Sequence, residues 1–197
     1  MCAMYQADPK ESDLKATERI LRYIKGSKNL GLFYPKSKTF ELMAYTDADY
    51  GRCKIDRKST SGICYFLGKS LVTWPSKKQN TIALSSTEVE YVAASLCCTQ
   101  VFWIKHQLED CSIHLERILI KCDNTSTIAL SKNLVFHART KHIKIKHHLL
   151  RDHVKKEDIS LEFVDTNNQV ADIFTKPLDR KKFEHFRSCL SLLEIKA

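Results

Sequence analysis

The stretch Ala44-Tyr45-Thr46-Asp47-Ala48-Asp49-Tyr50-Gly51 decides how the chain is read, because an apolar run passes straight into a carboxylate and then into a turn. Side chains alternate across a strand, so Phe40, Leu42 and Ala44 share one face, Met43, Tyr45 and Asp47 the other, and both faces read as covered. A carboxylate at the end of such a strand is costly to desolvate unless positive charge sits on it. Taken alone, Asp47 or Asp49 reads as a turn cap. Three further carboxylates change that reading. They lie in Ser85-Ser86-Thr87-Glu88-Val89-Glu90-Tyr91 at a helix start, in Ile120-Lys121-Cys122-Asp123-Asn124 after a second apolar strand, and in Asn168-Gln169-Val170-Ala171-Asp172. Strand ends and helix starts on one edge of an α/β sheet bring such groups together, and four acids in one place ask for divalent cations.

Outward from this stretch the pattern is strand-rich. Gly62–Leu67 and Leu71–Trp74 are two more strands joined by the tight Gly68-Lys69-Ser70 turn, so the first three strands run antiparallel. Val89, Ala93, Cys97, Val101, Ile104 and Leu108 recur at steps of three and four and form the buried stripe of the longest helix. Ser85 and Glu88 make a Ser-x-x-Glu capping box, which gives Glu88 a structural task and leaves Glu90 the freer acid. Periodicity does not choose between them, because they flank the stripe on opposite sides.

Ile118-Leu119-Ile120 is a fourth strand, after which Asn124, or Asp123 itself, can cap the helix through Ile128 and Leu130. From Phe136 to Arg151 apolar residues sit in dense positive charge, which reads as a basic helix. Its histidines and His153 include no pair three or four residues apart, so the spacing speaks against zinc. Ile159, Leu161 and Phe163 alternate in a fifth strand. Asn167-Asn168 then opens a helix that carries Asp172 and stops at Pro177; by itself, Asp172 could simply be placed favourably near a helix N-terminus.

With 197 residues the chain can hold one domain with a proper core plus an appendage. A net charge of +9 favours a polyanionic partner, most simply nucleic acid. The eight cysteines include no Cys-x-x-Cys pair and several lie in apolar runs, so they read as reduced thiols in an intracellular setting rather than as disulfides or zinc ligands. There is no secretory signal, and no apolar run approaches the roughly 18 residues of a membrane span. Pro9 through Gly26 is an amphipathic helix, with Leu14, Ile20, Leu21 and Ile24 on one side, and Gly31–Pro35 a short strand. This opening holds no catalytic constellation and reads as belonging to something upstream. The last residues form a basic, partly helical tail with Phe183, Phe186 and Leu190 as its docking face.

Seven motifs now stand in order: Tyr45-Thr46-Asp47-Ala48-Asp49, Asp56–Gly62, Ser76-Lys77-Lys78-Gln79, Ala83–Tyr91, Cys122-Asp123-Asn124, Arg139-Thr140-Lys141-His142-Ile143 and Ala171–Leu178. Together they resemble the ribonuclease H domain of copia-type LTR retrotransposon Pol polyproteins. The resemblance implies an α/β, ribonuclease H-like fold: a five-stranded mixed sheet, its first three strands antiparallel, flanked by helices on both faces. It divides the chain into residues 1–39, the connecting segment at the C-terminal edge of the reverse transcriptase region, residues 40–180, the catalytic domain, and residues 181–197, a basic tail. It implies a catalytic and metal-binding set of Asp47, Glu90, Asp123 and Asp172, with Tyr91-Val92-Ala93-Ala94 after the glutamate tipping the choice to Glu90.

The activity implied is hydrolysis of the RNA strand of RNA–DNA hybrids with two Mg²⁺ ions, or Mn²⁺ in their place. Arg57, Lys58, Lys77, Lys78, Arg139, Lys141, His142, Lys144 and Lys146 would grip the nucleic acid, chiefly through phosphates. The partners implied are the hybrid and a reverse transcriptase domain in the parent polyprotein, in the cytoplasm, within virus-like particles, or in the nucleus. Two departures matter. The loop from Glu162 to Gln169 lacks the mobile histidine some ribonucleases H carry, leaving His142 as a substitute, and no Tyr-x-Asp-Asp polymerase motif occurs. The alternative is a catalytically inactive, nucleic-acid-binding remnant of such an element.

Overall fold

The computed structural model describes residues 6–36, 40–53, 56–115, 118–132 and 148–195. In chain order they form α1 (Glu11–Gly26), β1 (Leu30–Leu32), β2 (Leu42–Asp49), β3 (Thr60–Leu67), β4 (Ser70–Thr73), β5 (Ser76–Lys78), α2 (Ser86–Asp110) and β6 (Ile118–Cys122). There follow α3 (Thr125–Lys132), α4 (His148–Lys155), β7 (Ile159–Phe163), a single 3-10 segment (Val170–Phe174), α5 (Arg180–Cys189) and β8 (Leu192–Glu194). Most of the basic helix expected over residues 136–151 lies outside the described residues.

The central sheet has the strand order β4-β3-β2-β6-β7. β2 pairs antiparallel with β3, and β3 with β4, whereas β6 runs parallel to both β2 and β7. The expected ribonuclease H-like mixed sheet is therefore present, with one correction to its count: β5 joins as a sixth strand. β4 covers only the Tyr65–Leu67 end of β3, which leaves the Thr60–Gly62 end open. An open edge has unpaired backbone groups, and β5 fills it after Pro75 turns the chain, its carbonyl accepting from Ile63 N at 3.0 Å.

Helices cover both faces. On one, Leu42, Ala44, Ile63, Tyr65, Ile118, Ile120, Ile159 and Leu161 meet the stripe of α2, including Cys97 and Val101, and Leu150 of α4. On the other, Cys64, Phe66 and Leu71 meet Val170 and Ala171 of the 3-10 segment and Phe186 and Leu190 around α5. Ser85 caps α2 by accepting from Glu88 N at 3.2 Å, and Glu88 Oε2 reaches back to Leu84 N at 2.8 Å, one residue earlier than the expected box. Among the described residues the cysteines are free thiols, as their placement suggested.

Two expectations need adjusting. Among the described residues Phe163, at the end of the edge strand β7, is exposed, although Ile159 and Leu161 on the same face are buried. The stripe of α1 is also exposed: Leu14, Ile20, Leu21 and Ile24 are each at least half accessible, and no residue of α1 is buried. Both ends of the chain meet nonetheless, since β1 pairs antiparallel with β8 in a separate two-stranded sheet and Tyr23 stands edge-on to Phe183.

Phe186 is fully buried on the face of the sheet opposite α2, so its loss leaves a cavity that the sheet cannot collapse into. Phe186→Ala should lower unfolding free energy by about 3–5 kcal/mol, read as a lower urea midpoint at unchanged slope. A loss below about 1 kcal/mol would show that α5 is not part of the cooperative unit.

Candidate active site

Sheet register brings the first two acids together. In the parallel pairing of β2 with β6, Thr46 stands opposite Cys122, so Asp47 and Asp123 are the next residues on adjacent strands, at their carboxyl ends. On the other side of β2, Asp47 faces Gly62. A Cβ at Gly62 would stand 2.5 Å from Thr175 Cγ2, 2.9 Å from Phe174 Cβ and 3.0 Å from the Ala171 carbonyl. Only a residue without a side chain lets the 3-10 segment lie this close to the sheet, and the segment carries Asp172 in. Gln169 ties it down: fully buried, it donates to the Thr46 carbonyl at 2.9 Å and accepts from Ala171 N at 3.4 Å.

Glu90, on the second turn of α2, completes the group, with Oε1 accepting from Ala48 N at 3.2 Å. Asp47, Asp123 and Asp172 present oxygens that all lie within 4.8 Å of one another, and Glu90, Cys122 and Asp123 form a second such group. The four acids therefore converge, joined through Asp123. Glu88 is committed to the helix cap and Asp49 to Arg52 at 3.0 Å.

Asp47, Asp172 and Glu90 are 0%, 1% and 6% exposed, so their charges are largely stripped of water. Two lysines answer them. Lys176 Nζ lies 3.0 Å from Asp47 Oδ1 and 2.8 Å from Asp172 Oδ1, and Lys182 Nζ lies 3.0 Å from Asp172 Oδ2. Thr175 Oγ1 donates to the other oxygen of Asp47, and Thr166 Oγ1 to Asp123 Oδ2 at 3.4 Å. Burial raises the Asp47 pKa, against the pull of Thr175 and Lys176. Burial, then repulsion from Asp47 and Asp123, pushes Glu90 up to about 9. Burial also works against the charge on Lys176, yet its bonds to Asp172 and Asp47 outweigh this and hold its pKa above the ordinary lysine value.

The donor chemistry fits a hard divalent cation. Among the described residues, Glu90 Oε2 is buried without a hydrogen-bond partner, an orphaned oxygen on one of the clustered acids. The carboxylates are the oxygen ligands such cations take. Burial, with repulsion from Glu90, raises the pKa of the neighbouring Cys122 thiol above its ordinary value.

The expected nucleic-acid contacts are placed unevenly. Lys77 and Lys78 lie on β5, paired with Ser61 and Thr60 beside Gly62. Lys77 is exposed, whereas Lys78 is held by Asp56 at 2.7 Å and by Cys53 Sγ at 3.2 Å. Arg57 is exposed on the adjoining loop at a positive φ of 55°, with Lys58 half-buried after it. Arg139, Lys141, His142, Lys144 and Lys146 lie outside the described residues. Lys176, Lys182, Thr175 and Gln169 were not singled out from the sequence. The four-residue spacing of Asp172 and Lys176 was the available signal for one of them.

Comparison with known proteins gives the following. Over 188 residues the chain is 40% identical to the retrovirus-related Pol polyprotein from transposon RE1 of Arabidopsis thaliana, a match covering 95% of this chain and 13% of that polyprotein. It is 37% identical over 177 residues to the Pol polyprotein from transposon TNT 1-94 of Nicotiana tabacum, covering 90% and 13%. The chain thus spans 13% of the length of these curated relatives. Among solved structures, RNase H1 from Halobacterium salinarum is similar at 13% identity and a TM-score of 0.49, over 68% of this chain and 94% of that one. No family model matches.

The raised pKa of Glu90 has a definite sign in stability. Unfolded, it titrates near 4.5, and folded near 9, so between these values folding takes up a proton and rising pH favours the unfolded chain. Below 4.5 both states hold the proton and the penalty is absent. In buffer containing EDTA, stability should fall as pH rises through this window, and Glu90→Gln should remove most of the slope. Urea titrations at stepped pH check it; the same slope in both proteins would contradict the assignment.

Proposed function

The chain belongs to the copia-type retrotransposon Pol family, matching one segment of its polyproteins, and on that footing we propose that it is a metal-dependent endonuclease. Its substrate is the RNA strand of RNA–DNA hybrids. Residues 40–180 carry the catalytic acids, residues 1–39 connect them to a reverse transcriptase domain in the parent polyprotein, and residues 181–197 are a basic tail that packs back onto the sheet through Phe186. Its setting is intracellular; among the described residues, no helix is long and apolar enough to cross a membrane.

The observation that carries this reading is the convergence of Asp47, Asp172 and Glu90 on Asp123, in two ligand-distance groups that share it. Burying like charges side by side is unfavourable, and a cation among them relieves the repulsion that otherwise holds a proton on Glu90. Asp47, Glu90, Asp123 and Asp172 would hold two Mg²⁺ ions, with Mn²⁺ a substitute. Bound there, such ions supply Lewis acidity that activates a water and stabilises the leaving 3′ oxygen. The protein's own groups orient the ligands: Thr175 fixes Asp47, Lys182 fixes Asp172, and the Ala48 amide fixes Glu90.

Arg57, Lys58 and Lys77, on and beside the β5 edge, contact phosphates without reading sequence, and the 2′-hydroxyl tells RNA from DNA. Lys78, already paired with Asp56, contributes less directly. Arg139, Lys141, His142, Lys144 and Lys146 extend the same grip.

Recombinant protein should cut the RNA strand of a labelled hybrid in Mg²⁺ and stop on addition of EDTA. Asp47→Asn should slow cutting by about 100-fold or more, a loss of several kcal/mol of transition-state stabilisation, while hybrid binding persists. Equal cutting by the variant would overturn the catalytic assignment. Binding without cutting by the unaltered chain would favour the inactive, nucleic-acid-binding remnant.

A further inference from the structure

Lys176 sits where charge is needed most. Its ammonium bridges Asp47 and Asp172, two acids from opposite ends of the folded domain, whose side chains are 1% and 2% exposed. The lysine side chain itself is 32% exposed, so it stands between the buried carboxylates and solvent. Lys182 is placed differently. It bonds the far oxygen of Asp172, donates to the Thr166 carbonyl at 3.2 Å and lies 5.2 Å from the centre of the Phe186 ring, an anchorage independent of Asp47.

We infer that Lys176 is a built-in counter-ion of the acidic site, which a divalent cation must displace from between Asp47 and Asp172 in order to bind. The inference rests on the metal-site reading above and adds a residue to it. Asp47 Oδ1 and Asp172 Oδ1 are the oxygens Lys176 holds, and Asp47 and Asp172 also belong with Asp123 to one carboxylate cluster. A cation drawing on that cluster competes with the ammonium for the same lone pairs. Displacement needs no backbone movement. Lys176 follows the 3-10 segment, its N–H stays hydrogen-bonded to the Asp172 carbonyl at 2.9 Å, and its flexible stem can swing the ammonium into water and regain rotamer freedom. The lysine therefore keeps the carboxylates matched when metal is scarce and sets the cation concentration at which the site fills.

The test uses the whole chain and two readouts that do not depend on cleavage. Isothermal titration with Mg²⁺ alone should show Lys176→Met binding about five- to tenfold more tightly than the unaltered protein, the equivalent of one partly exposed ion pair. Lys176→Arg, which keeps the charge, should return the affinity toward the starting value. The unaltered protein is also acetylated across a Mg²⁺ series and analysed by mass spectrometry, which needs no variant to fold. Modification of Lys176 should rise with metal occupancy relative to the exposed Lys77. Mg²⁺ binding with unchanged Lys176 modification and unchanged affinity in Lys176→Met would overturn the role of the lysine while leaving the metal site. No Mg²⁺ binding by the unaltered chain would overturn both.

Discussion

Negative charge taken out of water must be matched, and the rim of this sheet is built around that demand. Asp47, Glu90 and Asp172 are nearly inaccessible and Asp123 stands beside them, a grouping that would repel itself apart if left alone. The fold answers with Lys176 and Lys182, with the Thr175 hydroxyl and with the Ala48 amide, and it still leaves one oxygen of Glu90 without a partner. Lysines, hydrogen bonds and a proton held on Glu90 together offset the repulsion, so the arrangement and the stability of the site are two aspects of one electrostatic constraint.

The scaffold meets that constraint by register rather than by loop flexibility. Parallel pairing of β2 with β6 sets Asp47 and Asp123 on neighbouring strands. The bare backbone of Gly62 admits the 3-10 segment, and Gln169 locks that segment to β2 through a buried hydrogen bond. Each device is rigid, so the carboxylates are held in place before any ligand arrives, as preorganised sites require.

The C-terminal segment takes part as well. α5 closes the face of the sheet opposite α2 through Phe186, and from its first turn Lys182 reaches Asp172. β8 then pairs with β1, so residues read as a leading connector and a trailing tail hydrogen-bond to each other. α1, by contrast, leaves its apolar stripe open.

Much of this was readable from local patterns. The two-residue alternation around Asp47, the three-and-four stripe of α2 and the Ser85 cap depend on neighbours in the chain, and each element formed where those patterns put it. Local pattern assigned Glu88 to the helix cap, and the family resemblance turned the choice to Glu90. Other features depend on residues far apart in sequence. β5 exists because β4 leaves part of β3 uncovered, and Lys176 meets Asp47 across 129 positions. Periodicity records which face of an element is apolar and says nothing of what will lie against it, so the acids could be named from the chain, whereas their lysine partners required the packed sheet.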